Sequence, residues 1–331
     1  MSDTARAFWT VAPGRGELRD EALPAPGRDD VVVEALFSGI SRGTESTVFH
    51  GRVPPEEYQR MRAPFQAGDF PGPLKYGYAS VGRVVAGPAA LEGRTVFALY
   101  PHQSRYVVPA AAVCPVPADV PAPRAVLAAN METALNGTWD AGVAAGDRVT
   151  VVGAGTIGCL VAWLCSRIPG CEVELVDVAQ PRELVARALG VPFRRVDSAA
   201  RDRDIVVHAS GTSEGLDTAF ALAGFEARVV ELSWYGDRSV HASLGKAFHA
   251  RRLTLMSSQV GHLPAHRRAR WSNHRRLTKA LALLTDPALD TMITGESAFE
   301  DLPKVMPVVA GDAGGTLCHR VRYPAADAPQ A

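Results

Sequence analysis

Residues 147–177 read DRVTVVGAGTIGCLVAWLCSRIPGCEVELVD, and this stretch decides the fold. The apolar segment RVTVV is typical of a buried strand, and it runs directly into a glycine-rich turn. The turn opens TIGCLVAWLCSRI, which is apolar nearly all round, as expected of a helix buried between layers. A second strand pattern, CEVELVDV, follows. The order strand, turn, helix, strand predicts a βαβ unit of a parallel sheet.

The turn itself has a spacing with chemical meaning. Residues 153–158 read GAGTIG, which is G-x-G-x-x-G. In this context the first glycine permits a tight turn, the second lets the backbone approach a pyrophosphate, and the third lets the helix pack close to the strand. Unpaired N–H groups at the helix start then face the anion. The alternative is a glycine turn that binds nothing. The residues expected to bind a dinucleotide here are Gly153, Gly155, Thr156, Ile157 and Gly158.

Asp177 ends the second strand, nineteen positions after Gly158. A carboxylate at this point accepts hydrogen bonds from both ribose hydroxyls of NAD but repels the 2′-phosphate of NADP. We therefore predict NAD as the cofactor. NADP stays possible if the side chain of Arg182 folds back towards the ribose. The alternative for Asp177 is a solvated aspartate at the end of a strand.

Three further strand patterns continue the sheet: DIVVHASG, EARVVELSWYG and LTLMSSQVG. Ligands bind outside the carboxyl ends of strands in such doubly wound sheets. The residues that follow these strands, and that we expect to contact the cofactor, are Ser210, Trp234 and Ser258.

The first third of the chain has a different sequence pattern. Short apolar segments separated by glycine and proline clusters predict a small antiparallel barrel or sandwich. Prolines at 115, 117, 121 and 123 mark a junction. We predict an α/β protein with a discontinuous β-rich domain over 1–122 and 263–331 and a doubly wound parallel (Rossmann) domain over 123–262.

The amino-acid composition excludes several classes of protein and of partner. The 331 residues are 47% hydrophobic and 21% charged, as in a globular protein, and 35 basic side chains balance 35 acidic ones. This balance gives no global attraction to nucleic acid or to an anionic membrane, and we expect neither as a partner. No secretory signal or membrane-spanning run is present, and the five cysteines form no C-x-x-C pair. We expect a cytoplasmic protein with free, buried thiols.

Three segments carry a resemblance to a known family. Residues 37–45 (FSGISRGTE), 77–85 (GYASVGRVV) and 130–134 (NMETA) resemble the catalytic loop, the G-H-E-x-x-G-x-V-V segment and a metal-ligand segment of the medium-chain dehydrogenase/reductase superfamily. The resemblance covers nearly the whole chain and implies an N-terminal GroES-like β-barrel, a Rossmann domain and a homodimer. The combination S-G-I-S-x-G-T-E with G-Y-x-S-x-G is similar to a branch that includes bacteriochlorophyllide a dehydrogenases.

The departures from that pattern concern zinc. Zinc members carry Cys and His-Glu where this chain has Ser41, Tyr78 and Ala79, and only Glu132 of the metal-ligand positions is kept. Catalytic zinc requires three protein ligands and an open position. The cysteine-rich lobe of many relatives is also missing, since residues 86–110 contain no Cys. We therefore predict an enzyme with no bound metal.

Without zinc, side chains must polarise the substrate oxygen and handle one proton. Tyr78 takes the former ligand position and is the first candidate, with Lys75 three residues earlier to lower the pKa of the phenol. Glu132 is a candidate base, while Ser41 and Thr44 are candidates to relay protons. Each has an alternative: Tyr78 fills volume, Lys75 lies on the surface, and Glu132 caps a helix.

The expected activity is hydride transfer between a nicotinamide cofactor and the secondary alcohol or ketone of a small molecule: a polyol, sugar, cyclitol or specialised metabolite. One alternative is a zinc-free quinone or enone reductase, and another is a dinucleotide-binding protein without catalysis. The segment that starts at Pro264, PAHRRARWSNHRRLTKALALLTD, predicts a helix. Its arginine-rich part, 267–276, forms either a solvated helix face or a site that attracts a phosphorylated or carboxylated substrate.

Overall fold

A computed structural model describes residues 4–311 and 315–324. The predicted domain ends at 1–3 and 325–331 and the residues 312–314 lie outside the described residues. The chain divides into two compact units: residues up to Ala129 together with those from Leu277 onward, and Asn130–Arg276. The sequence placed the corresponding boundaries at 122/123 and 262/263.

Short strands make up most of the first unit in the part of the chain that precedes Ala129. They are β1 (Thr4–Ala12), β2 (Arg15–Ala22), β3 (Asp30–Ser41), β4 (Ala67–Gly68), β5 (Leu74–Lys75), β6 (Ser80–Ala86), β7 (Thr95–Ala98), β8 (Arg105–Pro109) and β9 (Val113–Pro115). The helices of this part are α1 (Arg42–Phe49), α2 (Ala122–Ala125) and the start of α3 (Ala128–Ala141).

The second unit alternates strand and helix. Its elements are β10 (Arg148–Val152), α4 (Thr156–Cys165), β11 (Glu172–Val176), α5 (Arg182–Ala188), β12 (Phe193–Arg194), β13 (Arg203–His208), α6 (Ser213–Leu222), β14 (Ala223–Glu231) and β15 (Thr254–Ser257). The chain then returns to the first unit through α7 (Asn273–Ala282), β16 (Ile293–Ala298), α8 (Leu302–Gly311) and β17 (Cys318–Arg322).

The parallel sheet of the second unit has the order β12-β11-β10-β13-β14-β15. This is the doubly wound order 3-2-1-4-5-6, in which the strand order reverses between β10 and β13. Strands β10 and β13 are buried because both faces are covered; Val151 and Val207, paired across them, are fully inaccessible. Because all six strands are parallel, their carboxyl ends meet at one edge of the sheet.

The first unit contains two sheets with mostly antiparallel pairing. A four-stranded sheet has the order β2-β1-β5-β4, and a seven-stranded sheet has the order β16-β17-β3-β6-β7-β9 with β8 paired to β3. Their core includes Phe8, Ile40, Phe49 and Phe299, all at most 2% exposed. Together the two units confirm the predicted α/β class with a β-rich unit and a parallel sheet.

The arginine-rich segment is only partly helical. The sequence favoured one helix from about residue 264, but 265–270 form turns and α7 begins at Asn273. Stacking explains the turns: Arg267 lies over Trp139, Arg275 lies over Trp271, and the two indoles contact each other with centroids 4.6 Å apart.

Candidate active site

The three glycines of the loop after β10 meet three different steric conditions. Gly153 has φ +107°, which other residues rarely adopt. A Cβ on Gly158 would lie 1.8 Å from the carbonyl oxygen of Gly153, so only glycine lets α4 approach β10 this closely. A Cβ on Gly155 would meet nothing within 4 Å, so the space above it is open. Half-buried Thr156 and Ile157 begin α4 beside this space. The loop thus has the shape that accommodates a pyrophosphate at a helix N-terminus.

Asp177 follows β11 and points its carboxylate at the glycine loop. Its Oδ2 accepts a hydrogen bond from the N–H of Ala154 (2.6 Å), and its Oδ1 accepts one from the N–H of Ala179 (2.7 Å). These bonds fix the carboxylate beside the loop, and carboxylate oxygens can accept further bonds. Arg182 opens α5 and is buried.

The remaining predicted cofactor contacts lie at the carboxyl edge of the sheet, as the parallel pairing requires. Ser210, Trp234 and Ser258 follow β13, β14 and β15. The hydroxyl of Ser258 donates to Asp140 Oδ2 (2.6 Å), which ties the end of β15 to α3.

Tyr78 lies half-buried in the first unit, beside the end of β3 and the start of α1. Burial raises the pKa of its phenol, the negative charge of Glu45 raises that pKa further, and hydrogen bonds from Ser41 and Thr44 oppose the rise. The structure therefore brings three of the predicted catalytic residues, Tyr78, Ser41 and Thr44, into one cluster. A phenol in this environment is protonated at neutral pH and can donate a hydrogen bond.

A buried polar chain that the sequence analysis did not foresee adjoins this cluster. Glu45 Oε1 accepts a bond from the N–H of Ser41 (2.8 Å), and its Oε2 lies 2.8 Å from Nε2 of His102. Ser38 Oγ lies 2.7 Å from His102 Nδ1 and 3.0 Å from the hydroxyl of Tyr323. An ionised Glu45 accepts from Nε2–H, so that Nδ1 accepts from Ser38 and Ser38 accepts from Tyr323. Proton donors and acceptors thus form a continuous line behind Tyr78.

Lys75 does not join this cluster. Its ammonium group donates to Glu21 Oε2 and to Gln103 Oε1, each at 2.6 Å. Among the described residues its hydrogen bonds go to these two partners rather than to Tyr78. Lys75 is also buried, so it is not the surface lysine of the alternative interpretation.

Glu132 lies in the second unit and is paired with Arg276, which no sequence pattern singled out. Its Oε1 accepts from Nε of Arg276 at 3.0 Å, and the same guanidinium donates to Asn136 and to the carbonyl of Val260. Both members of the ion pair are almost completely buried, at 4% and 2% exposure. Burial raises the pKa of Glu132, and Arg276 opposes that rise.

The donor groups at the positions where zinc members carry ligands do not fit a zinc ion. Ser41 and Tyr78 offer hydroxyls, the Tyr78 phenol is held protonated, and the Glu132 carboxylate is in an ion pair with Arg276. Catalytic zinc takes thiolate, imidazole and carboxylate ligands. Among residues 4–311 and 315–324, no three His, Cys, Asp or Glu side chains are grouped to hold a metal ion. In the same ranges, no helix has the length and apolar character that a bilayer crossing demands.

Comparisons with known proteins give partial sequence matches. L-Threonine 3-dehydrogenase of Shewanella frigidimarina is 29% identical over 118 residues, which are 36% of this chain and 34% of that enzyme. An uncharacterised zinc-type alcohol dehydrogenase-like protein of Haemophilus influenzae is 27% identical over 138 residues, 38% of this chain and 40% of the relative. The match thus spans well under half the length of either relative. No protein-family model matches the chain.

Similarity in fold extends over almost the whole chain. L-Idonate 5-dehydrogenase from Escherichia coli superposes with a TM-score of 0.78 at 14% identity, covering 96% of this chain and 98% of that structure. An E. coli alcohol dehydrogenase complexed with NADH gives 0.76 at 16% identity, covering 97% and 100%. A protein described as a zinc-binding dehydrogenase from Sinorhizobium meliloti, bound to NADP, gives 0.76 at 19% identity with the same coverage. The chain therefore has the fold of these dehydrogenases.

Proposed function

We propose that this protein is an NAD(P)-dependent oxidoreductase that transfers hydride between nicotinamide and the secondary alcohol or ketone of a small molecule. The observation that carries the proposal is the loop at 153–158, which is open above Gly155 and lies beside the carboxylate of Asp177. Solved proteins of the same fold bind NADH and NADP. We further propose that NAD is preferred, because a carboxylate at Asp177 repels a 2′-phosphate.

When bound, the nicotinamide supplies or accepts the hydride. The chain's own residues position the reactants and move one proton. The glycine loop and the start of α4 bind the pyrophosphate, Asp177 binds the ribose hydroxyls, and Ser210, Trp234 and Ser258 line the sheet edge towards the nicotinamide end.

In this proposal Tyr78 donates a hydrogen bond to the substrate oxygen. Because its pKa is raised, the phenol stays neutral and polarises a ketone without losing its proton in the resting enzyme. Ser41 and Thr44 bond the phenol oxygen and are placed to return a proton to it. The charge of Glu45, held by His102, disfavours a lasting phenolate. Glu132, paired with Arg276, acts in this scheme by positioning α3 rather than as a base.

We propose that catalysis proceeds without zinc, as the poor fit of Ser41, Tyr78 and Glu132 to a zinc ion supports. The proposed substrates are polyols, sugars, cyclitols or related specialised metabolites. We also propose a cytoplasmic homodimer, because β15 is an edge strand of the parallel sheet and all five cysteines are free thiols.

The test combines cofactor binding, turnover and metal analysis of the purified protein. NADH and NADPH are titrated by calorimetry, a panel of secondary alcohols and matching ketones is assayed by nicotinamide absorbance, and zinc is measured by plasma mass spectrometry. We expect tighter NADH binding, turnover of at least one pair, and activity unchanged by a chelator. Stoichiometric zinc with activity lost on chelation contradicts the zinc-free mechanism. Reduction of enones with NADPH alone favours the quinone reductase alternative, and binding without any turnover favours the non-catalytic one.

A further inference from the structure

A second buried polar cluster lies in the parallel-sheet unit, at the carboxyl ends of β13 and β14. His208 is completely buried, and its Nδ1 lies 2.6 Å from Oε2 of Glu231. Its other nitrogen, Nε2, lies 2.6 Å from the hydroxyl oxygen of Ser210. Serine, histidine and carboxylate are thus joined in the order found in nucleophilic hydrolases.

The proton positions in this cluster follow from the charge of Glu231. Burial raises the pKa of this carboxyl, but hydrogen bonds from His208 and Ser233 outweigh that effect and hold the pKa below its usual value. Oε1 accepts from the N–H of Ser233 (2.7 Å), while Oε2 accepts from the hydroxyl of Tyr235 (2.8 Å). His208 therefore carries its proton on Nδ1 and donates it to Glu231, which leaves Nε2 to accept the hydroxyl proton of Ser210. This is the tautomer that a general base requires.

The surroundings of Ser210 hold it against the imidazole. A Cβ on Gly215 would lie 2.0 Å from Ser210 Oγ and 2.8 Å from His208 Nε2, so the contact exists only because α6 has glycine there. Thr212 donates from its N–H to Ser210 Oγ at 3.3 Å and caps α6 with its own hydroxyl. Ser210 itself is half-buried and keeps some exposure to solvent.

A cleft of about 190 Å³ begins at the two residues that follow Ser210, and its walls include Gly211, Thr212, Tyr235 and Arg238. A guanidinium nitrogen of Arg238 lies 3.7 Å from the position that a Cβ on Gly211 would take, so a cation lies next to the residue that follows the serine. A positive group at this point stabilises negative charge that develops on a carbonyl oxygen.

We propose that Ser210, His208 and Glu231 form a nucleophilic site that accepts an acyl group from small activated esters, with Arg238 stabilising the oxyanion. The Ser210 oxygen bonds to the ester carbonyl carbon while its proton passes to His208 Nε2. The bond to the leaving oxygen breaks, and that oxygen takes the proton from His208. Water then attacks the acyl carbon, gives its proton to His208, and frees Ser210, which regains the proton. The reaction needs no dinucleotide.

The experiment uses the full-length protein without added cofactor. It is treated with a fluorophosphonate probe, the adduct is located by peptide mass spectrometry, and hydrolysis of p-nitrophenyl acetate is followed in parallel. We expect one adduct, on Ser210, and ester hydrolysis above that of buffer. Ser210→Ala and His208→Gln abolish the adduct and lower the hydrolysis rate about 100-fold. The exposed serine Ser198, whose hydroxyl donates to the carbonyl of Arg195, supplies the matched control, since Ser198→Ala changes neither readout.

Gly215→Ala provides a variant in which all three side chains remain. Its methyl group must push Ser210 away from His208, so labelling falls although alanine favours helix formation more than glycine does. Circular dichroism and thermal unfolding of every variant verify the fold. An intact protein that is not labelled overturns the proposal, as do an adduct confined to other residues and a hydrolysis rate that survives His208→Gln. Because the assay contains no dinucleotide, its failure leaves the proposed dehydrogenase activity unaffected, and the reverse also holds.

Discussion

His102 Nε2 lies 2.8 Å from Oε2 of Glu45, and the two residues are only 1% and 3% exposed. The pair places a negative charge beside the phenol of Tyr78, where it raises the pKa of that group. The pKa of the Tyr78 phenol therefore depends on the charge of Glu45, and we expect substitutions at Glu45 to change the pH dependence of the reaction.

Glu45→Gln removes this charge and keeps the shape of the side chain. The pKa of Tyr78 then falls, so the alkaline limb of the pH profile of kcat begins at lower pH in Glu45→Gln than in the unmodified enzyme. The measurement is kcat for ketone reduction across the stable pH range. An alkaline limb at the same pH in both proteins would show that Tyr78 is not the group that titrates.

Tyr78→Phe removes the hydroxyl that polarises the substrate oxygen. We expect kcat to fall about 100-fold while the Kd for NADH is unchanged, since general acid groups contribute in this range. Tyr58→Phe is the control, because the ring of Tyr58 packs at a tilt against Phe70 and is given no part in the reaction. Equal rates for Tyr78→Phe and the unmodified enzyme would remove Tyr78 from the mechanism.

Gly155→Ala and Gly158→Ala separate binding from folding. The Gly155 methyl enters open space and leaves the folded state intact, but it occupies the volume that a pyrophosphate needs, so we expect NADH affinity to fall at least tenfold with an unchanged Tm. The Gly158 methyl would lie 1.8 Å from a backbone carbonyl oxygen and lowers the Tm itself. Calorimetric titration and thermal unfolding give both quantities. If Gly155→Ala binds NADH normally, the dinucleotide does not cross this loop.

Arg276→Met leaves the buried carboxylate of Glu132 without its cation. Breaking such a pair from one side costs about 3–5 kcal/mol of the free energy of unfolding, whereas the double replacement Arg276→Met with Glu132→Leu costs much less. Urea denaturation measures both. A double variant as unstable as the single one would mean that packing, not charge, explains the loss.

The stability of the Arg276→Met variant should depend on pH in a defined direction. Burial raises the pKa of Glu132 above its unfolded value, and loss of Arg276 raises it further. A group of this kind favours the folded state when protonated, and that stability is lost as pH rises through the folded pKa. The stability difference between Arg276→Met and the unmodified protein should therefore shrink as pH falls.

Local sequence was sufficient for the parallel-sheet unit. The G-x-G-x-x-G turn, the apolar strands and Asp177 lie within 31 consecutive residues, and their spacing alone predicted the elements that the structure contains. Strand and helix periodicities are properties of neighbouring residues, so they can be read along the chain. The helix expected from residue 264 was wrong in its first half, where Arg267 lies over Trp139, a residue far away in the sequence.

The polar chemistry was decided by tertiary structure. His102 and Glu45 are 57 residues apart, Arg276 and Glu132 are 144 apart, and Tyr323 and Ser38 are 285 apart. No metal-binding spacing surrounds His102 in the sequence, and no pattern there pairs Glu132 with Arg276. A buried charge must find a partner, and that partner is chosen by which elements the folded chain brings together. Short-range spacing in the sequence was enough to predict the parallel sheet and its glycine loop. The ion pairs and hydrogen-bonded chains depend on tertiary packing, because they join segments that are distant in sequence and buried together in the fold.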